Sequence, residues 1–199
     1  MSLSTTTVIP HDRFNTGLPH GKLLMWVFIT SEIMFFSGFF GAFLVLRNLN
    51  VHLFTESAHE LNKVVATINT AVLITSSLTM ALSHLALEKG DQKNFRLFLF
   101  LTMLCALGFL GIKSYEYTAK FHHGIFPWTN PFFASYFTMT GFHALHVIGG
   151  LIPMTWMFFK SLFRGYPQHM HHRVETLGLY WHFVDLVWIF LFPVLYLIF

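Results

Sequence analysis

The stretch LLMWVFITSEIMFFSGFFGAFLVL, residues 23–46, carries a single ionisable side chain, Glu32, in an otherwise uncharged and mostly apolar run. A helix needs about 20 apolar residues to cross the hydrocarbon of a bilayer, so this run is long enough to span it. Similar runs follow at 64–87, 96–118, 132–159 and 174–198. Charged residues make up 11% of the chain, against about 25% in soluble domains. The sequence therefore predicts an all-α, polytopic membrane protein with a bundle of five transmembrane helices.

The distribution of basic residues predicts the orientation of this bundle. The N-terminal segment and the second and fourth loops hold eight Lys and Arg residues, whereas the other loops and the C-terminus hold three. Short flanks rich in Lys and Arg stay on the cytoplasmic side, so we expect a cytoplasmic N-terminus and a C-terminus outside. Residues 1–21 are then a polar cytoplasmic segment without the pattern of a signal peptide, and residues 22–199 are the five-helix transmembrane domain. The net charge of +3 belongs to these flanks and does not indicate a nucleic-acid partner.

Ionisable side chains inside the predicted spans fall into two layers. With a rise of 1.5 Å per residue, a middle layer about 14 to 21 Å from the cytoplasmic flank holds Glu32, His146, His182 and Asp185. A second layer at about 25 to 30 Å holds Lys113, Glu116 and His143. A charge at bilayer depth is costly unless it is paired or hydrated, so we expect these groups to face one another inside the bundle.

Spacing within the spans supports polar faces that point inward. Residues three apart share a helix face, which pairs His182 with Asp185, His143 with His146 and Lys113 with Glu116. Asn69, Ser76 and Ser83 recur every seven residues along the second span. Small residues let helices approach closely, so Ser37 with Gly41, Gly38 with Ala42, and Gly108 with Gly111 are predicted contact points between helices.

Three functional interpretations of the polar groups remain open at this stage. Buried Glu–His and His–Asp pairs can simply orient helices and satisfy one another. They can also form a chain of titratable groups that handles protons, as in a coupled transporter, with Glu32 near the midplane. A membrane cytochrome is the third class, although no span carries two histidines at the spacing that a pair of stacked haems requires.

Redox chemistry within this chain is not indicated by its residue types. A single cysteine, Cys105, excludes an intrachain disulfide and a cysteine-based zinc site. The His-Met-His-His run at 169–172 lies in a predicted basic loop, and the remaining histidines and carboxylates are too scattered for a copper or di-iron site. We therefore expect no catalytic, cofactor-binding or metal-binding residue in the chain.

Four motifs, at these same residues and in this order, resemble subunit III of the haem-copper oxidases. They are Ser-Glu-Ile-Met-Phe-Phe-Ser-Gly-Phe-Phe at 31–40, Tyr-Glu-Tyr at 115–117, the segment from Phe137 through Gly-Phe-His-Ala-Leu-His-Val-Ile-Gly at 141–149, and Tyr-Trp-His-Phe-Val-Asp-Leu-Val-Trp at 180–188. The similarity covers about residues 22–199. Many members of that family have seven spans, so this chain resembles the short bacterial form that lacks the first helix pair.

The resemblance implies a role within a larger enzyme. Subunit III of that family packs against the catalytic subunit I, which holds the haems and copper, binds phospholipids between its helices, supports proton uptake and protects the catalytic centre during turnover. It implies a noncatalytic, cofactor-free accessory subunit in the bacterial cytoplasmic membrane. Lys160 and His171 fall where family members contact lipid headgroups. Ser31-Glu32 resembles the cytochrome c oxidase branch, since the related quinol oxidases often carry Asp at the second position; a quinol oxidase subunit III is the alternative.

Overall fold

A computed structural model describes residues 20–167 and 171–197 of the chain. Most of the predicted N-terminal segment, residues 1–21, and two residues of the histidine-rich run, 169 and 170, lie outside the described residues. The described part of the chain is helical and contains no strand. The prediction of an all-α, polytopic protein with five spans is confirmed, because five helices are long and apolar enough to cross a membrane.

The helices follow the predicted spans and extend past most of them. In chain order they are α1 (His20–Leu49), α2 (Val51–His59), α3 (Lys63–Glu88), α4 (Gln92–His122), α5 (Pro131–Arg164) and α6 (His171–Phe192), which continues into a π-helical turn at Pro193–Leu197. The short helix α2 and the π-helical turn were not predicted. Pro193 lacks a backbone N–H, and such a residue interrupts regular α-helical hydrogen bonding, which explains the change of winding there.

Polar side chains at the N-termini of three helices explain where these helices begin. The Asn62 side chain accepts hydrogen bonds from the backbone N–H groups of Val64 and Val65 at the start of α3. Asp91 accepts one from Asn94 at the start of α4, and Asn130 does the same for α5, where Pro131 occupies the first turn. Each such cap satisfies an N–H group that the helix itself leaves free.

Helices α3 to α6 form a four-helix core, and α1 lies at its side. The face of α1 that contacts α5 and α6 is marked by Ile29, Phe36 and Phe43, three buried residues spaced by seven. Much of the rest of α1 is exposed. Large aromatic side chains fill the centre of the core. Among them are Trp181, Trp188, Tyr136 and Tyr196, each less than 2% exposed.

The prediction that small residues of α1 and α4 are contact points between helices is wrong within this chain. A Cβ atom added at Gly38, Gly41, Gly108 or Gly111 would meet no atom within 4 Å. The close approach occurs instead at Gly150 on α5, where a Cβ atom would lie 2.8 Å from ring atoms of Trp181. This glycine therefore sets the distance between α5 and α6.

Candidate functional site

Glu32 of α1 and His146 of α5 lie side by side, each near the middle of its helix. Oε2 of Glu32 is 3.1 Å from Nε2 of His146, a contact that does not form a regular hydrogen bond. The two side chains are 18% and 17% exposed, so the pair borders the lipid-facing surface of the bundle. From their shared depth, His146 and His182 were the favoured partners of Glu32, and Glu32 lies beside His146.

The other ring nitrogen of His146 determines how many protons this pair holds. Nδ1 lies 2.8 Å from the carbonyl oxygen of Phe142, which can only accept a hydrogen bond, so Nδ1 carries a proton. In a neutral imidazole Nε2 is then an acceptor, and its approach to a carboxylate oxygen requires one further proton. The structure thus brings a carboxyl group and an imidazole, two groups able to exchange a proton, into contact.

His182 and Asp185 do not bond to each other, although they share a face of α6. Nδ1 of His182 lies 2.6 Å from Oγ of Ser77. Oδ2 of Asp185 lies 3.4 Å from Oγ of Ser76, which donates at 2.7 Å to the carbonyl oxygen of Leu73. Ser76 also accepts from the indole N–H of Trp181 at 3.1 Å. His182 and Oδ2 of Asp185 therefore contact serines of α3 and join these two helices, whereas Oδ1 of Asp185 is buried without a partner among the described residues.

Glu116 of α4 lies at the centre of a buried network near the far end of the bundle. Its Oε2 atom is 2.8 Å from Nζ of Lys113, and its Oε1 atom accepts from the hydroxyls of Tyr136 at 2.8 Å and Tyr196 at 3.0 Å. Nζ of Lys113 also lies 2.7 Å from the Tyr196 hydroxyl oxygen. The π-helical turn carries Tyr196, so this network ties α4 and α5 to the C-terminal end of α6.

His143 is fully buried, but its two ring nitrogens have no hydrogen-bond partner in the part of the chain that the structure describes. Its ring packs between Phe109 of α4, at a centroid distance of 5.4 Å, and Trp188 of α6, at 5.1 Å. The structure thus separates His143 from His146, which lies at the α1 side, although the spacing of these residues predicted a shared surface.

Lys160 and His171, the two predicted lipid contacts, lie at the end of the bundle where α1 begins. Nζ of Lys160 lies over the rings of Trp156 and Tyr166, at 4.8 and 5.5 Å. Burial raises the pKa of the Tyr166 hydroxyl, which keeps this ring neutral beside the cation. His171 begins α6, and its ring contacts that of His172 at a centroid distance of 3.9 Å.

A groove of about 520 Å³ opens at this same end, between α1, α5 and α6. Cationic and titratable side chains border it, namely Lys22, His172, Arg173 and Glu175, and Nζ of Lys22 pairs with Oε1 of Glu175. Met25, Pro153, Met157 and Leu177 supply its apolar lining. The groove thus combines a charged rim with an apolar interior.

Several residues of these clusters were missed at the level of the sequence. Ser77, Tyr136 and Tyr196 carry hydrogen bonds to predicted site residues, yet a serine or tyrosine in an apolar run gives no signal of its own. The seven-residue repeat that includes Asn69 and Ser76 was the available signal, because all three of its members are buried. Over residues 20–167 and 171–197, no group of three or more His, Cys, Asp or Glu side chains is placed to hold a metal ion.

Comparison with known proteins agrees with this helical architecture. The family model described as "Cytochrome c oxidase subunit III" matches residues 10–198. Cytochrome c oxidase subunit 3 of Thermostichus vulcanus is 36% identical, over 98% of this chain and 96% of the relative. The probable cytochrome c oxidase subunit 3 of Nocardia farcinica is 34% identical, over 86% and 85%. Quinol oxidase subunit 3 of Bacillus subtilis is 31% identical, over 86% and 84%.

The fold and the polar clusters define a multi-pass helical membrane protein whose ionisable groups are held inside the bundle. The chain belongs to the cytochrome c oxidase subunit III family. It is therefore a subunit of a respiratory oxidase and forms a complex with other oxidase subunits.

Proposed function

We propose that this chain is a noncatalytic, cofactor-free accessory subunit of a proton-pumping terminal oxidase. It packs on the catalytic subunit I, where the haem and copper reside, and supports proton uptake and stability during turnover. The observation that carries the proposal is the Glu32–His146 pair, because a carboxyl group in contact with an imidazole at bilayer depth suits proton exchange. The pair borders the lipid-facing surface, where a partner subunit has access to it.

Phospholipid is the second ligand that we assign to this chain. The groove beside α1 and α6 presents Arg173 and the Lys22–Glu175 ion pair to a lipid headgroup, with an apolar lining for acyl chains. Lys160 and His171 lie at the same end of the bundle and contribute further cationic contacts to headgroups. This arrangement favours an anionic lipid over a zwitterionic one.

The orientation and location of the chain complete the proposal. The end of the bundle with the charged groove faces the cytoplasm, together with the N-terminal segment 1–21, and the end with Glu116 faces outside. Residues 22–199 form the transmembrane domain in the cytoplasmic membrane of a bacterium. The relatives from Thermostichus vulcanus and Nocardia farcinica support this location, because they come from bacteria with this form of the chain.

Cytochrome c is the electron donor that we assign to the complex. Two relatives carry cytochrome c oxidase in their names, and residue 32 is Glu rather than Asp. The similarity to a quinol oxidase subunit 3 supports the alternative donor, quinol. A free-standing proton-coupled transporter is a more distant alternative, which rests on Glu32, His146, His182 and Asp185.

Purification in a mild detergent tests this proposal. A tagged chain is expected to co-purify with a large subunit that bears haem and copper, and the complex is expected to oxidise reduced cytochrome c. Mass spectrometry and the visible spectrum identify the partner, and parallel assays with cytochrome c and quinol identify the donor. Recovery of the chain alone, in a membrane that contains the oxidase, would contradict the accessory role. Oxidation of quinol only would overturn the assigned donor and retain the subunit role.

A further inference from the structure

Asn69 and His143, two fully buried polar side chains of the core, have no hydrogen-bond partner among the residues that the structure describes. Asn69 of α3 leaves both Nδ2 and Oδ1 unpaired, and His143 of α5 leaves both ring nitrogens unpaired. Both residues are 0% exposed. Nearly all buried polar groups in proteins find a partner in the chain or in ordered water, so four unpaired atoms in one core require an explanation.

These two side chains belong to one level of the four-helix core. The ring of Trp188 is 5.1 Å from that of His143, and its indole N–H donates to Oγ1 of Thr70, the neighbour of Asn69. Phe109 contacts both the His143 and the Trp188 rings. Helices α3, α4, α5 and α6 thus converge at this level.

Polar groups continue from this level in both directions along the core. Towards the outer end, Nζ of Lys113 lies 4.8 Å above the Trp188 ring and connects to Glu116. Glu116 also lines a pocket of about 170 Å³ beside Lys120. Towards the middle of the membrane, Asp185 lies one helical turn before Trp188, and its Oδ1 atom is buried and unpaired as well.

We propose that Asn69, His143 and Asp185 bind a file of water molecules inside the α3–α6 core. A neutral imidazole supplies one donor and one acceptor, and Asn supplies both kinds of group, which is the set that a buried water with about three hydrogen bonds needs. Full burial of the two side chains excludes larger ligands. The file joins the Lys113–Glu116 network to Asp185 and reaches the outer aqueous surface through the pocket beside Lys120.

The file ends in the middle of the membrane. Beyond Asp185, the hydroxyls of Thr79 and Thr102 bond to each other at 2.8 Å, and Leu99 and Met80 are fully buried beside them. These groups are satisfied or apolar, so they hold no water. Asp185 is therefore hydrated from one side only and sits at the inner end of a closed half-channel, separate from the Glu32–His146 pair.

A high-resolution cryo-electron microscopy map of the complete oxidase complex tests this site directly. We expect solvent density within hydrogen-bonding distance of Asn69, His143 and Oδ1 of Asp185. A map that shows other buried waters of the complex but none at Asn69 and His143 would overturn the proposal. This measurement needs no electron donor, so it is independent of the proposed accessory function.

Substitutions give a second test. The quantity measured is the temperature at which half of the copies of this chain have dissociated from the complex. If Asn69 and His143 share water, Asn69→Leu and His143→Phe each lower this temperature, and the double variant lowers it by less than the sum. In a dry core each substitution removes an unpaired polar group, so the temperature stays or rises and the effects add. Asn48→Leu, the same change at an exposed position of α1, is the control and is expected to leave the temperature unchanged. Unchanged, raised or additive temperatures for the core variants would overturn the shared water.

Discussion

Glu32 is the residue at which a protonic and a structural role predict different results. In Glu32→Gln, the amide can still donate to Nε2 of His146 but carries no exchangeable carboxyl proton. We expect normal retention of the chain and slower proton uptake by the complex, measured with a pH-sensitive dye during turnover. Glu32→Leu leaves the buried side of His146 unpaired, at a cost of about 1–3 kcal/mol, and is expected to lower retention. Equal behaviour of the two variants would contradict the protonic role.

Asp185 is expected to contribute more to helix packing than an exposed charge does. Asp185→Ala removes the 3.4 Å contact with Oγ of Ser76 and leaves space at a buried position between α3 and α6, so we expect lower retention of the chain. Lys93→Ala is the control, because Lys93 is exposed on α4 and, unlike Asp91, does not cap the helix. Quantitative mass spectrometry of the purified complex measures retention of each variant. Similar retention of the two would show that the α3–α6 contact does not depend on Asp185.

For the Lys113–Glu116 pair, we expect the cost in stability of removing one charge to depend strongly on whether the other charge is present. Removing one partner of a buried ion pair costs about 3–5 kcal/mol, because the other charge is left uncompensated. Lys113→Met is therefore expected to lower the thermal stability of the complex strongly. The double variant Lys113→Met/Glu116→Gln is expected to recover more than half of the loss, because the Gln oxygen still accepts from Tyr136 and Tyr196. A double variant as unstable as Lys113→Met would show that the charges act independently.

At the scale of helices, the close approach of α5 and α6 at Gly150 predicts the effect of a substitution there, and Gly141 on the same helix offers a matched control. Gly150→Ala places a methyl group 2.8 Å from the Trp181 ring, and such overpacking costs about 1–3 kcal/mol. Gly141→Ala adds the same methyl group to α5 where no atom lies within 4 Å. We expect a lower midpoint of thermal dissociation for the first variant only. Equal midpoints would show that α5 and α6 can separate without cost.

The positions of the long helices were predictable from the sequence. The helix faces that contact one another were predictable only in part. Long apolar runs and polar loops are sufficient to locate five spans, because a chain in lipid must satisfy its backbone within each helix. Helix α2 was missed since nine residues in a polar loop give no comparable signal. The small residues of α1 and α4 were assigned to contacts within the chain, yet their spacing does not indicate which side of a helix meets a neighbour. Gly149 and Gly150 are adjacent, and the sequence alone did not distinguish them from the others.

The candidate site was predictable in its residues and less so in its partners. Depth along the helix was enough to bring Glu32 and His146 together, because cost forces ionisable groups at one level towards each other. It did not reveal that His182 and Asp185 bond to serines of α3, since an i,i+3 pair that shares a face can bond outward to another helix. Hydroxyl groups such as Ser77 are tolerated on either side of a transmembrane helix, so their position depends on tertiary packing.

At the scale of the whole molecule, the arrangement of helices suits a subunit that works beside another protein. The four-helix core is satisfied internally over most of its polar groups, whereas α1 buries one narrow face and leaves the rest of its surface outward. The pair formed by Glu32 and His146 sits at the seam between α1 and the core. A partner subunit that packs on this side would cover the pair and the adjacent surface of α1.

Removal of this chain from the oxidase is the most direct test of the accessory role. Oxygen consumption is followed over successive turnovers by the complex with and without the chain, together with the visible spectrum. We expect unchanged haem bands and an initial rate that is largely preserved, followed by slower proton uptake and earlier loss of activity. Immediate loss of a haem band, with the catalytic subunit still present and folded, would contradict the account.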